Sequence, residues 1–428
     1  MTLELKKLTD YRDIMERCIR CSMCKWIPQV QIKSWKYAQV CPSIDEYNFH
    51  AYSGGGRMIV ALSLLSERIG YSEEVLNIAY RCTACGACSV SCKYLNDLEP
   101  LEVIEALRKK IVEDGQGPLP VHQKYIQLTE EVHNPYGEAP ANRLAWLPAD
   151  VVVSKDAPLA YFVGCTASFR RQEIAIATGH ILNKAGVEFQ LLGEDEFCCG
   201  SPIMRVGADE QVKSLIQRNI EEFKARGIQK IVTSCAGCYS TMKAEYPRYY
   251  KHDIEIVHTS ELLDQLIKEG KLTFKKELPL TVTYHDPCHL GRCSEPYKEW
   301  HGQIMEPISL VRIPVPPKPL RKGTNGCYYP PRNVLQAIPG LKLVEMERIK
   351  EYAYCCGAGG GVKAAFPEFA VNTARRRVEE AKDTGAQILV SCCPFCSTNL
   401  QDAINADNTD LKFYDLTELV LMALEDES

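Results

Sequence analysis

No segment of the 428-residue sequence approaches the roughly 18 consecutive apolar residues of a membrane-spanning helix, so any membrane contact is expected only through a partner subunit. The opening run MTLELKKLTDYRDIMER also lacks the continuous apolar stretch of a secretory signal, which predicts a cytoplasmic protein. A field of one charge is missing too. The 55 acidic and 50 basic residues are dispersed along the chain, and the net charge of −5 argues against nucleic acid as a partner. The run GGGRM at Gly54 precedes no strand–helix unit of the right context, so no Gly-rich dinucleotide fingerprint is recognised and two-electron nicotinamide chemistry is expected elsewhere.

What the chain has in abundance is cysteine. Twenty-one thiols without an export signal do not read as a disulfide framework, because a reducing cytosol keeps thiols free; clustered thiols there bind metal. The 46% hydrophobic content supports two to four packed domains. The expected divisions are a two-cluster ferredoxin-type domain over 1–114, a Pro/Gly/Asn-rich connector over 115–156, and two further domains over 157–272 and 278–428.

Eight cysteines occupy the first part. Cys18, Cys21 and Cys24 form C-x2-C-x2-C, and Cys82, Cys85, Cys88 and Cys92 form C-x2-C-x2-C-x3-C. In such runs one loop places three thiolates on one cubane and directs the fourth cysteine to the other. Cys18, Cys21, Cys24 and Cys92 are therefore assigned to one [4Fe–4S] cluster, and Cys41, Cys82, Cys85 and Cys88 to a second. Sixteen residues separate Cys41 from Cys24 where three are usual, and Lys93 stands where proline normally follows, but neither departure removes a ligand. Zinc takes four ligands in C-x2-C pairs and has no use for triple runs. Leu101, Ile104, Leu107 and Ile111 predict a helix face behind these loops.

The other thirteen cysteines reveal a duplication. Cys198-Cys199-Gly200 matches Cys355-Cys356-Gly357 at an offset of 157, Ser260-Glu261-Leu262 matches Thr417-Glu418-Leu419 at 157, and IVTSCAGC matches LVSCCPFC at 158. Cys165 and Cys288 are only 123 apart, so the second copy carries about 34 extra residues, placed at about 293–325 and read as an exposed, proline-stiffened loop. In each copy apolar runs (LAYFVG, VEFQLL and IQKIVTS; LTVTYH, LKLVEM and AQILVS) alternate with helical patterns such as Val212, Leu215, Ile216, Ile220 and Phe223. This alternation predicts α/β domains with largely parallel sheets, and Cys165, Cys235, Cys288 and Cys393 fall at carboxyl ends of strands, where sites form. Each copy offers five thiols, one more than a cubane or zinc site needs. Adjacent cysteines do not easily share one tetrahedral metal, which suggests a larger cluster.

The pattern C-x(31–39)-CC-x(35–36)-C-x2-C, with YFVGCTAS, FCCGSP, VTSCAGC, YHDPCHLGR and CCGAGGG around it, resembles the CCG-domain iron–sulfur family of heterodisulfide reductases. A two-cluster module followed by two CCG domains is similar to the D subunit of heterodisulfide reductase, and to the iron–sulfur subunits of glycolate oxidase, anaerobic glycerol-3-phosphate dehydrogenase and the class II benzoyl-CoA reductase complex. The resemblance implies an α/β protein with a mainly helical N-terminal module, two cubane [4Fe–4S] clusters, and one or two noncubane [4Fe–4S] clusters on the CCG motifs. The first would use Cys165, Cys198, Cys199, Cys235 and Cys238, the second Cys288, Cys355, Cys356, Cys393 and Cys396. It also implies electron transport in anaerobic metabolism, within a complex whose other subunits carry flavin or iron–sulfur groups. Three functions stay open: a relay subunit, a disulfide reductase acting at the CCG clusters, and the iron–sulfur subunit of a flavin-dependent 2-hydroxy-acid dehydrogenase. Gly200, Gly357 and Gly359-Gly360-Gly361 are expected to let backbone approach closely and to donate amides to sulfide. His285, Asp286 and His289 bracket Cys288 as supporting groups or proton donors, and Cys293, Cys327 and Cys392 are left as small buried residues.

Overall fold

The computed structural model describes all residues except 1–5, 94–95, 97, 296–299, 309–310, 318–322 and 425–428. The first 114 residues build short helices around the cysteine loops, closed by the helices Gly54–Leu65, Glu73–Tyr80 and Pro100–Glu113. Pro100 opens the last of these at a position where a missing N–H costs nothing, and Leu101, Ile104, Leu107 and Ile111 are all buried on one face.

Beyond it the strands are β1 (Leu159–Tyr161), β2 (Lys230–Thr233), β3 (Glu255–His258), β4 (Thr281–Tyr284), β5 (Gln303–Ile308), β6 (Val311–Val315), β7 (Lys342–Leu343), β8 (Ile388–Ser391) and β9 (Lys412–Asp415). They form two all-parallel sheets of order β1-β2-β3 and β7-β4-β8-β9, and one antiparallel pair, β5-β6. The central strands are short β-branched runs buried on both faces, as parallel sheets covered by helices require. The duplication is thus visible as β1-β2-β3 against β4-β8-β9. VEFQLL contributes only a single bridge, Gln190 beside Ala160, and LKLVEM shrinks to the two residues of β7.

Two segments differ from the sequence reading. The connector contains a thirteen-residue helix, Pro120–Val132, whose His122 ring contacts the Gly361 carbonyl at 3.1 Å. The insertion forms an antiparallel hairpin rather than a loop, because QIMEPI and VRIPV supply enough extended, partly β-branched residues to pair around Pro307 and Pro314. Part of its PVPPKPLRKG core, 318–322, lies outside the described residues. No described helix is long and apolar enough to cross a membrane.

The three parts are tied together by buried side chains. Arg108 lies on the inner face of its helix and donates to the carbonyls of Ala79, Tyr80 and Cys82 in the first module, Arg205 in the first copy and Gly360 in the second. A Cβ at Gly360 would sit 2.4 Å from the Cys82 carbonyl oxygen, and one at Gly359 would sit 2.6 Å from that of Thr83. The glycine run therefore serves backbone-to-backbone docking of the second copy onto the first module.

Candidate metal centres

Several cysteines sit at helix starts, where N–H groups and the helix dipole favour thiolate. Cys165 begins the helix Cys165–Phe169, while Cys41, Cys235 and Cys393 are N-caps of the helices that follow them. Each strand of β1, β2, β4 and β8 ends two to four residues before its cysteine, so both copies raise their thiols at the carboxyl edges of their sheets.

In the first module Cys92 is within electrostatic reach of Cys24, Cys21 and Cys18, and Cys88 of Cys82, Cys85 and Cys41. Cys24 also neighbours Cys88, so the two groups are adjacent. Between them runs the start of the helix Gly54–Leu65, which explains GGGRM. A Cβ at Gly54 would lie 2.8 Å from the Cβ of Cys88, and the Gly55 amide donates to the Cys24 sulfur at 3.3 Å. No sequence signal beyond the glycine run points there.

In the copies Cys165, Cys198, Cys199, Cys238 and Cys235 form one chain of thiol contacts, and Cys288, Cys355, Cys356, Cys396 and Cys393 a second. Two further contacts join the groups: Cys85 with Cys355, and Cys393 with Cys235. The spatial order is therefore the Cys18 group, the Cys41 group, the second copy and then the first, which is not the order of the chain.

The surroundings fit a negatively charged group on these thiols. Burial pushes the thiols of Cys41 and Cys92 up to about 12, so without metal they hold protons. Yet three arginines stand buried beside the Cys41 group and its neighbour, none in a salt bridge with a carboxylate among the described residues: Arg57 by Cys41, Arg108 by Cys82, and Arg292 by Cys85, Cys288 and Cys355. Arg57 donates to the carbonyls of Ile78, Tyr52 and Arg81, and Arg292 to those of Cys85, Glu351 and Ala353. Buried cations need a counter-charge, which cluster-bound thiolates supply. In the first copy the buried pair Arg143–Glu196, 2.9 Å apart, sits against Cys165, with both Arg143 terminal nitrogens 3.8–3.9 Å from its sulfur.

The remaining thiols make other hydrogen bonds, although Cys293 lies within electrostatic reach of Cys288 and Cys392 of Cys393. Cys392 bonds Tyr284 at 2.8 Å as its counterpart Ser234 bonds Tyr161 at 3.1 Å, Cys327 contacts Ser260, and Cys293 donates to the Cys85 carbonyl at 3.4 Å. His289 Nδ1 lies 3.2 Å from the Cys288 sulfur, whereas Asp286 is taken up by both terminal nitrogens of Arg332. Burial, and then the charge of Arg377, push His285 down to about 3, so its imidazole is neutral. Thiols of both copies, including Cys165, Cys235, Cys288 and Cys393, line one cavity of about 720 Å³, with Lys124 and Arg170 among its walls.

Residues 14–95 match the 4Fe-4S dicluster domain, and residues 159–243 and 320–401 match the cysteine-rich CCG domain. The second CCG match begins beyond Cys288, although the structure places Cys288 against Cys355. The chain is 37% identical over 432 residues to the D subunit of dihydromethanophenazine:CoB–CoM heterodisulfide reductase of Methanosarcina acetivorans, covering 99% of this chain and 97% of that protein. It is 31% identical to the B subunit of the fumarate reductase (CoM/CoB) of Methanothermobacter marburgensis, over 98% of this chain and 75% of that one. A hypothetical protein from Helicobacter pylori shares the fold, with a TM-score of 0.53 at 11% identity, covering 88% of this chain and 68% of that chain.

Proposed function

Because the chain belongs to the family of the heterodisulfide reductase D subunit and its CCG-domain relatives, we propose that it is the iron–sulfur relay subunit of a multi-subunit oxidoreductase. Cys18, Cys21, Cys24 and Cys92 would hold one cubane and Cys41, Cys82, Cys85 and Cys88 the other. Cys288, Cys355, Cys356, Cys393 and Cys396 would hold one CCG cluster, and Cys165, Cys198, Cys199, Cys235 and Cys238 the second. An iron–sulfur cluster on each set takes up and passes on one electron at a time. The observation that carries the reading is the unbroken sequence of neighbouring thiols, in which Cys85–Cys355 and Cys393–Cys235 join the sets. The protein keeps them together with Arg108 and Arg292, which clamp the first module onto the copies. The donor and acceptor are other subunits carrying flavin or iron–sulfur groups, and any membrane contact runs through them. Anaerobic purification should give a brown protein rich in iron and acid-labile sulfide; a colourless zinc protein would sink the reading.

The cavity favours a second reading. Its walls carry ligand thiols of both copies, so part of its volume belongs to the clusters themselves, and a disulfide seated between them would meet two one-electron sites at once. Reduced dye and a thiol heterodisulfide test it: turnover by the isolated protein supports reduction in the cavity, and no turnover with clusters intact leaves the relay.

A further inference from the structure

The two copies are not chemically equivalent. Aligned on the cysteine that follows, YFVGC places Phe162 where YHDPC places His285. Phe162 packs edge-on against Phe223, ring centroids 6.2 Å apart, in an apolar wall. His285 is equally buried but faces polar groups. Its Nδ1 accepts from Arg377 Nε at 3.1 Å, and Arg377 is fixed by Glu380, which in turn accepts from Arg348. A ring nitrogen of His285 and the sulfurs of Cys356 and Cys396 lie within 4.8 Å of one another.

An arginine can only donate, so Nδ1 carries the lone pair and the ring proton is on Nε2. Nε2 is buried and has no hydrogen-bond partner among the described residues. A protonated Nε2 cannot ligate metal; to do so it would need its proton on Nδ1, facing the arginine. We infer that His285 is a positioning residue whose unpartnered Nε2–H donates to the sulfurs of a cluster held by the second CCG set and raises that set's reduction potential, a donor that Phe162 does not offer the first set. A hydrogen bond to sulfur and the net positive Arg377–Glu380–Arg348 group behind it both stabilise the added electron. This rests on the reading that the set holds an iron–sulfur cluster, and the iron content of the wild-type protein reports on that reading separately.

The test is a redox titration of the full, anaerobically reconstituted chain, followed by electron paramagnetic resonance, for wild type, His285→Phe and His285→Gln. In His285→Phe the reduced-to-oxidised ratio of one CCG-set signal at fixed potential should fall at least about tenfold, a shift of about 59 mV for one electron. The other signals and the iron content stay unchanged, and His285→Gln, which still donates, recovers at least half of the shift. An unmoved potential with iron retained overturns the inference, as does loss of iron from that set in both variants. Wild-type protein labelled with ¹⁵N-histidine gives a check independent of the variants' folding. A weak nitrogen coupling supports the hydrogen bond, and the strong coupling of a direct ligand overturns it.

Discussion

Replacing Arg108 with methionine removes a side chain that bonds all three parts of the protein. Its guanidinium makes six hydrogen bonds to five buried or partly buried carbonyls, among them 2.6 Å to Arg205, 2.7 Å to Cys82 and 3.0 Å to Gly360. A buried acceptor left without its donor costs about 1–3 kcal/mol, so five at the low end give about 5 kcal/mol. Working against that loss, the variant no longer desolvates a cation, a relief of several kcal/mol when no counter-charge is present. With clusters bound the counter-charge is there and the relief vanishes. Arg108→Met is therefore expected to destabilise the loaded protein by about 5 kcal/mol and the metal-free protein markedly less, with Arg108→Lys between wild type and methionine in the loaded form. Anaerobic denaturant titrations read by circular dichroism and by cluster bleaching measure both. A loaded Arg108→Met protein within about 1 kcal/mol of wild type, or an equal loss in both forms, would refute the reasoning.

Two further outcomes follow from single positions. Gly54→Ala places a methyl group 2.8 Å from the Cβ of Cys88 and 3.1 Å from that of Pro100; iron per chain should fall, whereas Gly70→Ala, with nothing within 4 Å, should retain it all. Equal iron in both would contradict the cradle. Burial raises the Asp415 carboxyl to about 8, well above its unfolded value of about 3.9, so between these values the folded form keeps a proton that the unfolded chain has released. Stability then falls as pH rises, by up to about 1.4 kcal/mol per unit. Asp415→Asn should remove that slope between about pH 6 and 8 in denaturation curves; parallel curves would count against it.

The chemistry is legible in the sequence because cysteine spacing is a local property: C-x2-C-x2-C fixes what one loop presents, and the 157-residue offset pairs CCG with CCG. The parallel α/β copies are legible through short, largely apolar runs such as IVTS and ILVS. What stays hidden depends on contacts between distant residues. Cys85 and Cys355 are 270 positions apart, and no spacing rule says that the thiols of the second copy rather than those of the first meet the ferredoxin-type cysteines. The strands Glu255–His258 and Lys412–Asp415 escape a pattern search because they are short and mixed in character, and the hairpin Gln303–Val315 because its prolines read as a loop. GGGRM has the look of a failed phosphate loop, although its lack of side chains serves sulfur instead of phosphate. His285 stands out beside Cys288, but its partner Arg377 lies 92 residues on.

In the proposed relay, electrons that enter at the ferredoxin-type module would meet the second copy before the first, and cutting the series at the second copy is the direct test. In the full chain carrying Cys356→Ser and Cys396→Ser, electrons supplied to the ferredoxin-type module, followed by rapid-freeze paramagnetic resonance, should no longer reach the set built on Cys165, while the reciprocal Cys199→Ser and Cys238→Ser chain should still reduce the second copy at the wild-type rate. Reduction of the Cys165 set at an undiminished rate in the first variant would contradict the order that Cys85–Cys355 and Cys393–Cys235 define.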